Sequence, residues 1–156
     1  MRHGDAALDA ASDSVRPLTD CGCDESRQMA TWLKNQNVNI DRVLVSPYLR
    51  AAQTLDVADE CLNLPKAVDV LPELTPGGDV GLVSGYLQTL ASEGVAAVLV
   101  ISHLPLVGYL VAELCPGQVP PMFTTSAIAS VTLDANGQGT MNWQMSPCNL
   151  NAAKAI

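Results

Sequence analysis

The sequence has few positive charges and only two histidines, His3 and His103. Its 156 residues include 8 Lys and Arg against 16 Asp and Glu, which gives a formal net charge of −8. A nucleic-acid groove or a site for an anionic membrane surface requires a basic patch, so we expect neither nucleic acid nor a membrane as a partner. In an acidic chain, arginines placed near a histidine are candidates for a site that binds an anion.

The sequence also lacks a signal peptide and an even set of cysteines. Its five cysteines stand at positions 21, 23, 61, 115 and 148. An odd number without a leader is typical of reduced thiols and predicts a cytoplasmic protein rather than a disulfide framework. Cys21-Gly22-Cys23 has C-x-C spacing with no second pair after it, so we expect no metal, and nothing calls for an organic cofactor.

One stretch, from 94 to 112, contains no Asp, Glu, Lys or Arg and is almost long enough to span a bilayer. Within it, 95–101 is continuously apolar and rich in β-branched residues, which is typical of a buried strand. Ser102-His103-Leu104-Pro105 then interrupts the pattern before a helical one begins. We therefore predict a strand and a helix here, and no transmembrane segment.

The remaining pattern predicts one α/β domain over residues 1–156, with no internal repeat. Strands are predicted at 42–45, 68–71 and 95–101. Helices are predicted at 23–35, from Pro47 to about 61 with Ser46 as N-cap, after Asp79 as N-cap, and at 105–114. A hairpin is predicted at 127–133 and 140–145 around Asn136-Gly137, and a loop over the site at 6–20. This order predicts a three-layer helix-sheet-helix fold whose mostly parallel sheet becomes mixed through the C-terminal hairpin.

Several short motifs occur in an order that resembles a known family. They are Arg2-His3-Gly4, Leu18-Thr19 with Gly22, Val45-Ser46-Pro47 with Arg50, Leu71-Pro72-Glu73, and Val100-Ile101-Ser102-His103. Together they resemble the histidine phosphatase superfamily, the phosphoglycerate-mutase-like enzymes that carry a phosphoryl group on the first histidine. Ser102-His103-Leu104-Pro105, the closing 143–147 and the short chain are similar to the bacterial phosphohistidine phosphatases of that superfamily.

The sequence departs from the family at its amino terminus. In the family the Arg-His-Gly motif follows an apolar strand central to the sheet, whereas here a single residue precedes Arg2. We expect that strand to lie upstream of Met1. If it is lost instead, His3 is attached to a fraying terminus.

The residue types at these positions suit phosphoryl transfer. The reaction needs fixed positive donors and an in-line nucleophile. Arg2 and Arg50 supply forked donors whose charge persists on burial. A neutral His3 supplies the nucleophile if its other ring nitrogen is fixed by a carbonyl, and His103 can hydrogen-bond the transferring group.

Two further residues leave alternatives open. Arg16 either reaches the edge of the pocket or pairs with Asp5 or Asp13 on the surface, and we expect a supporting role. Glu73 matches the proton-donor carboxylate that the resemblance implies, but a solvated loop carboxylate fits the sequence equally well. A phosphohistidine leaving group is an imidazole that needs little help from an acid.

We therefore expect a phosphohistidine phosphatase that uses a phosphohistidine intermediate on His3. The interval between Arg50 and His103 leaves few residues for a lid, which favours a phosphorylated side chain on another protein as substrate. The resemblance implies, as partner, the histidine phosphotransfer domain of a hybrid sensor kinase in a two-component phosphorelay, with the chain acting as a monomer. The alternatives are a small-molecule phosphomonoesterase of the same superfamily and a phosphoprotein-binding module without turnover.

Overall fold

Helices and strands alternate along most of the chain. The computed structural model describes the backbone of residues 1–154 and the side chains of residues 1–152. In chain order the elements are a 3-10 turn at Asp13–Val15, α1 (Asp20–Lys34), β1 (Arg42–Val45), α2 (Leu49–Leu62), β2 (Val68–Val70), a second 3-10 turn at Pro72–Leu74, α3 (Val80–Ser92), β3 (Val98–Ile101), α4 (Leu106–Leu114), β4 (Ile128–Leu133), β5 (Gly139–Met145) and α5 (Pro147–Lys154). The predicted α/β class is confirmed.

The central sheet contains three parallel strands in the order β2-β1-β3. Val45, the last residue of β1, pairs with Val70 of β2 and with Ile101 of β3, so all three strands end at the same edge. Side chains alternate between the two faces of a strand. Val43 and Val45 consequently enter one core, and Leu44 enters the other.

Each face of the sheet is covered by helices. One core lies among α1, α2 and α5 and contains Met29, Leu33 and Leu150. The other lies under α3 and α4 and contains Leu90 and Leu110. These two cores give the three layers that the alternation of elements predicts.

Residues Met1 to His3 continue the sheet beside the end of β3. The backbone N–H of His3 donates to the Ser102 carbonyl at 3.0 Å, and Ser102 N–H donates to the Met1 carbonyl at 3.0 Å. On the opposite side, Arg2 N–H donates to Ala127 O and Ser126 N–H donates to His3 O, both at 3.0 Å. The strand that the resemblance implies before Arg2 was expected upstream of Met1, and that expectation stays a prediction. In the structure these hydrogen bonds fix His3 from both sides.

The C-terminal hairpin is confirmed at β4 and β5, which pair antiparallel with a bulge between Ser130 and Val131. Gly137 in the connecting turn has φ +79°, a conformation that favours glycine. The two strands form a separate sheet, joined to the parallel one through Met1–His3. Trp143 of β5 meets Trp32 of α1 edge to face, with ring centroids 4.9 Å apart.

Some predicted boundaries were wrong. Ser46 does not cap α2, which begins at Leu49 after Tyr48, because the Ser46 hydroxyl is engaged elsewhere. Strand β3 begins three residues later than predicted, at Val98, since the N–H groups of residues 96 and 97 donate to the Asp41 carboxylate. Helix α1 begins earlier than predicted, where the Thr19 hydroxyl accepts from Gly22 N–H. Helix α5 was not predicted.

The uncharged run 94–112 divides into β3 and α4. Among the residues that the structure describes, no helix combines the length and apolar character needed to cross a bilayer.

Candidate active site

The site lies where β1 and β3 end and the Met1–His3 segment passes beside them. Four of the predicted residues meet there: His3, His103, Arg50 and Arg2. The two imidazole rings have centroids 4.9 Å apart, and both side chains are buried. Because parallel strands end at one edge of the sheet, residues far apart in the chain converge at this edge.

His3 is held in one tautomer by its own backbone neighbour. Its Nδ1 lies 2.7 Å from the carbonyl oxygen of Gly4, which can only accept, so Nδ1 carries the proton and donates. Nε2 is then unprotonated and accepts from Nε–H of Arg50 at 3.3 Å. An imidazole in this state presents a lone pair on Nε2, which a nucleophile requires.

The surroundings of His3 also keep it neutral. Burial and, to a smaller extent, the nearby cations Arg50, Arg2 and Arg16 lower the pKa of His3 to about 4, against the opposing effect of the hydrogen bond to Gly4. A histidine with a pKa of about 4 is uncharged at neutral pH. The nucleophilic form is therefore the resting form.

The close approach of Gly4 to α1 positions this segment. A Cβ on Gly4 would lie 2.7 Å from Ser26 Oγ and 2.8 Å from the Gly22 carbonyl oxygen, so a larger residue does not fit. Gly4 N–H donates to Thr54 Oγ1 at 2.9 Å, and that hydroxyl donates to the Arg50 carbonyl at 2.8 Å. The backbone beside His3 is thus tied to the helix that carries Arg50.

Arg50, in the first turn of α2, is almost fully buried and uses all three of its nitrogens. Besides Nε on His3, Nη1 donates to the carbonyl of Asp13 at 2.6 Å and Nη2 to the Asp13 carboxylate at 3.2 Å. Its guanidinium carbon also lies 5.1 Å from the centre of the Tyr48 ring. These contacts fix the plane of the fork next to the Nε2 atom of His3.

Arg2 approaches from the other side of the same segment. Its Nη1 donates to the Phe123 carbonyl at 2.9 Å, while Nε is buried without a hydrogen-bond partner among the described residues. Burial, followed by the charge of Arg50, lowers the pKa of this guanidinium, and Asp5 opposes the shift. A buried donor held without a partner is suited to a ligand that arrives with acceptors.

Arg16 pairs with Asp13, which also pairs with Arg50, and the supporting role expected of Arg16 stays a prediction. Its Nη1 donates to Asp13 Oδ1 at 3.1 Å, and its Nε donates to the Ala7 carbonyl at 2.8 Å. The hydrogen bond from Arg16 lowers the pKa of Asp13; desolvation opposes the shift, and the hydrogen bond from Arg50 adds to it. One carboxylate therefore joins the two arginines across the loop that precedes α1.

His103 follows β3 and is fully buried. Its Nε2 lies 2.7 Å from Ser46 Oγ, and its Nδ1 has no hydrogen-bond partner within the described residues. Burial lowers the pKa of His103 to about 3, with smaller contributions from His3 and the arginines and an opposing one from Asp13. Tyr48 packs against the ring edge to face at 5.2 Å.

Glu73 lies apart from these contacts, in the 3-10 turn at Pro72–Leu74. It is partly exposed and lines an open groove of about 720 Å³ whose lining, residues 72–82, includes neither histidine. The turn that carries Glu73 is tied to the end of β3 through its backbone, because Ser102 Oγ donates to the carbonyl of Leu74 at 2.6 Å. The turn Pro72–Leu74 is thus held at the end of β3, and Glu73 lines a groove that neither histidine lines.

The described residues contain no group of three or more His, Cys, Asp or Glu side chains that could hold a metal ion. The nitrogens that meet at this site instead belong to the guanidinium groups of Arg50 and Arg2 and to the imidazole rings of the two histidines. Such a set is suited to an oxyanion rather than to a cation.

Comparisons with known proteins agree with this geometry. A family model of the histidine phosphatase superfamily (branch 1) matches residues 1–77. The phosphohistidine phosphatase SixA of Escherichia coli (strain K12) is 79% identical over 156 residues, which cover 100% of this chain and 97% of that protein. The chain belongs to the histidine phosphatase superfamily.

Two further relatives support this assignment. A SixA homolog of Haemophilus influenzae is 38% identical over 154 residues, with 94% of each protein covered. A solved structure of the protein histidine phosphatase SixA complexed with tungstate is 79% identical, with a TM-score of 0.95 and 96% of each chain covered. The predicted membership of the superfamily and the phosphoglycerate-mutase-like fold are confirmed.

For this histidine phosphatase, sequence reasoning missed two partners of the predicted residues. Ser46 was assigned to a helix cap, yet it contacts His103 across 57 positions of sequence. Asp13 was considered only as a surface partner of Arg16, yet it also holds Arg50 across 37 positions. No local pattern reveals either contact, since both depend on how distant segments pack. The occurrence of Ser46 directly after a strand is the one available signal.

Proposed function

We propose that this chain is a phosphohistidine phosphatase that accepts a phosphoryl group on Nε2 of His3 and releases it to water. The observation that carries the proposal is the state of His3: Nδ1–H donates to the Gly4 carbonyl at 2.7 Å, and Nε2 presents a lone pair beside Arg50. Identity of 79% to a phosphohistidine phosphatase over the full chain supports it. So does a solved relative that binds tungstate, because tungstate is a tetrahedral oxyanion like phosphate.

In the first step Nε2 of His3 attacks phosphorus, and the bond from phosphorus to the substrate imidazole breaks. The electron pair of that bond returns to the ring nitrogen of the leaving imidazole, which is already protonated on its distal nitrogen. Arg50 and Arg2 then bind the equatorial oxygens with their forks, and His103 donates to the same group. Arg50 Nε–H leaves Nε2 of His3 for a phosphoryl oxygen during this step.

In the second step water attacks the phosphoryl group on His3. The N–P bond breaks, inorganic phosphate leaves, and His3 returns to its neutral Nδ1–H form. No metal ion or organic cofactor takes part in either step. Both steps exchange one nitrogen or oxygen nucleophile for another at phosphorus, so the contribution of the protein is orientation and positive charge.

The partner that we propose is the phosphorylated histidine phosphotransfer domain of a hybrid sensor kinase, so that the enzyme damps a two-component phosphorelay. The interval from 51 to 102 is occupied by the rest of α2, β2, a 3-10 turn, α3 and β3 with short connections. Among the described residues this interval holds no inserted lid. A site with little cover suits a side chain displayed on a folded surface.

We further infer a cytoplasmic monomer. All five cysteines are free thiols, which fits a reducing compartment.

The experiment that tests the proposal is release of inorganic phosphate from a purified phosphorylated phosphotransfer domain. The wild-type enzyme should release phosphate catalytically, and His3→Ala should not. Equal rates for the two proteins, or no release by the wild type, would reject the proposal.

Measurements with the same phosphorylated domain also distinguish the proposed enzyme from a phosphomonoesterase and from a binding module. A phosphomonoesterase would act on small phosphate esters at rates that exceed those on the phosphoprotein. A binding module without turnover would take up no acid-labile label on His3, whereas the proposed enzyme gains and then loses that label within its turnover time.

A further inference from the structure

The hydrogen bond between Ser46 and His103 determines more than the position of the ring. Ser46 follows β1, and its backbone N–H donates to the Ile101 carbonyl at 3.1 Å, which fixes it against the end of β3. Its side chain is fully buried, and Oγ lies 2.7 Å from Nε2 of His103. The side chain of His103 is buried as well.

The direction of this bond follows from the other contacts of the hydroxyl. Ser46 Oγ accepts from the backbone N–H of Tyr48 at 3.2 Å, and among the described residues its other hydrogen-bond partner is Nε2 of His103. A serine hydroxyl has one proton to donate, and a buried one left unpaired is costly. The proton of Ser46 therefore goes to Nε2, which must be unprotonated.

The ring proton of neutral His103 is then on Nδ1. That atom is buried and has no hydrogen-bond partner among the described residues, and its ring lies 4.9 Å from the ring of His3. In the opposite tautomer two groups would lack partners, the Ser46 hydroxyl proton and the Nδ1 lone pair. A bare Nδ1 would also repel a phosphoryl oxygen, because both are acceptors.

We propose that Ser46 is a positioning residue that fixes His103 in the Nδ1–H tautomer, so that a neutral imidazole donates to the phosphoryl group. Ser46 does not touch the substrate in this arrangement and acts only through His103. The catalytic part of this inference rests on the proposed function, whereas the tautomer does not. A donor that is neutral and prepared in advance needs no proton from solvent during the reaction.

The tautomer can be read directly because the chain contains only two histidines. A long-range ¹H–¹⁵N correlation spectrum of the free protein at pH 7 separates protonated from unprotonated ring nitrogens. His3→Gln assigns the remaining signals to His103. We expect His103 with Nδ1 protonated and Nε2 bare; the reverse assignment in the wild-type protein overturns the proposal, whatever the enzyme does.

Three variants test the role of the hydroxyl. Ser46→Ala should shift His103 toward the Nε2–H form and lower kcat by roughly ten- to a thousandfold, with KM changed less than about threefold, because the contact acts in the transition state. Ser46→Thr keeps a hydroxyl and should restore both the spectrum and most of the rate. Ser84→Ala, which alters another buried serine, in α3, should change neither.

Each result bears on the inference. An unchanged tautomer in Ser46→Ala overturns the positioning role, and a shifted tautomer with unchanged kcat overturns its catalytic importance. If Ser46→Thr does not fold, the wild-type spectrum still tests the assignment. A wild-type protein that shows the expected tautomer but releases no phosphate from phosphohistidine would reject the proposed function and leave the tautomer standing.

Discussion

The cluster around His3 and the groove around Glu73 are neighbours built in opposite ways. In the cluster the polar groups are buried: His3 pairs with Gly4 and Arg50, His103 pairs with Ser46, and only Nε of Arg2 and Nδ1 of His103 lack a partner among the described residues. In the groove, Glu73 is partly exposed and lines an open space of about 720 Å³. The groups that we propose to hold phosphorus are fixed, whereas the candidate acid lies in open surroundings.

This contrast suggests that the fold positions the nucleophile and its cationic neighbours but not a proton donor for the leaving group. A poor leaving group such as an alkoxide needs an acid of fixed geometry, whereas an imidazole can leave with little help. Strict positioning of His3 combined with a loosely held Glu73 is therefore the arrangement expected for phosphohistidine. The predictions below test whether the two regions differ in function as they differ in structure.

The largest effect should come from removing the nucleophile. His3→Ala leaves no group that can form the covalent intermediate, so we expect turnover on a phosphorylated phosphotransfer domain to fall by at least about a thousandfold. Phosphate release under single-turnover conditions measures this. A variant that keeps a tenth of the wild-type rate would show that another residue carries phosphorus.

Loss of the fork at Arg50 should have the next largest effect. Lysine cannot contact His3, the Asp13 carbonyl and the Asp13 carboxylate together, so Arg50→Lys should lower kcat by about a hundredfold although the charge is kept. Arg27→Lys is the matched control, because Arg27 makes exposed ion pairs with Asp24 and Glu60 and should change the rate less than about twofold. Similar losses in both variants would argue against a special role for the fork.

Acid should weaken the cluster through both of its histidines. Their pKa values are lowered to about 4 for His3 and about 3 for His103, whereas an unfolded chain protonates histidine near pH 6.5. Between pH 6.5 and about 4 the unfolded state therefore binds more protons than the folded state, and stability falls as the pH falls. Over that window we expect the two histidines to remove a few kcal/mol from the free energy of unfolding.

Urea unfolding at pH 7 and pH 4.5 measures that loss. The variant His3→Asn with His103→Asn should show a smaller drop than the wild type, because neither asparagine titrates. Equal drops in the two proteins would mean that carboxylates alone account for the acid sensitivity.

The smallest effect should come from Glu73. Because Glu73 lines a groove that includes neither histidine, and an imidazole leaves with little help from an acid, Glu73→Gln should change the rate on phosphohistidine by less than about threefold. On a small phosphate ester the same change should remove most of whatever activity exists, since an alkoxide needs a proton. Comparably large losses on both substrates, from steady-state rates, would erase the distinction between the two regions and favour a phosphomonoesterase.

Much of the fold could be predicted because local patterns determine it. The apolar runs of β1 and β3 and the Asn136-Gly137 turn are readable without knowledge of packing. The start of α2 was not, because Ser46 and Pro47 form a sequence that usually begins a helix. In this protein the Ser46 hydroxyl is bound by His103 and Tyr48, and a contact across the sheet overrides the local preference.

In the site, too, some residues could be predicted from local sequence and others could not. His3, Arg50 and His103 could be named from the sequence because each stands in a recognisable motif next to a predicted strand. The partners that orient them could not, since the contact of Arg50 with Asp13 depends on how residues 6–20 fold back over α2. Whether the Glu73 side chain faces the site depends on the path of the 3-10 turn at Pro72–Leu74, which composition does not determine.

The edge-to-face pair of Trp32 and Trp143 makes intrinsic fluorescence a selective reporter. These are the only two indoles in the chain, and they touch where β5 packs on α1. Emission will therefore follow the docking of the C-terminal hairpin onto the first helix rather than events at the imidazoles. An inactive variant that emits like the wild type has kept the packing of the hairpin on α1, so its defect can be assigned to the chemistry rather than to misfolding.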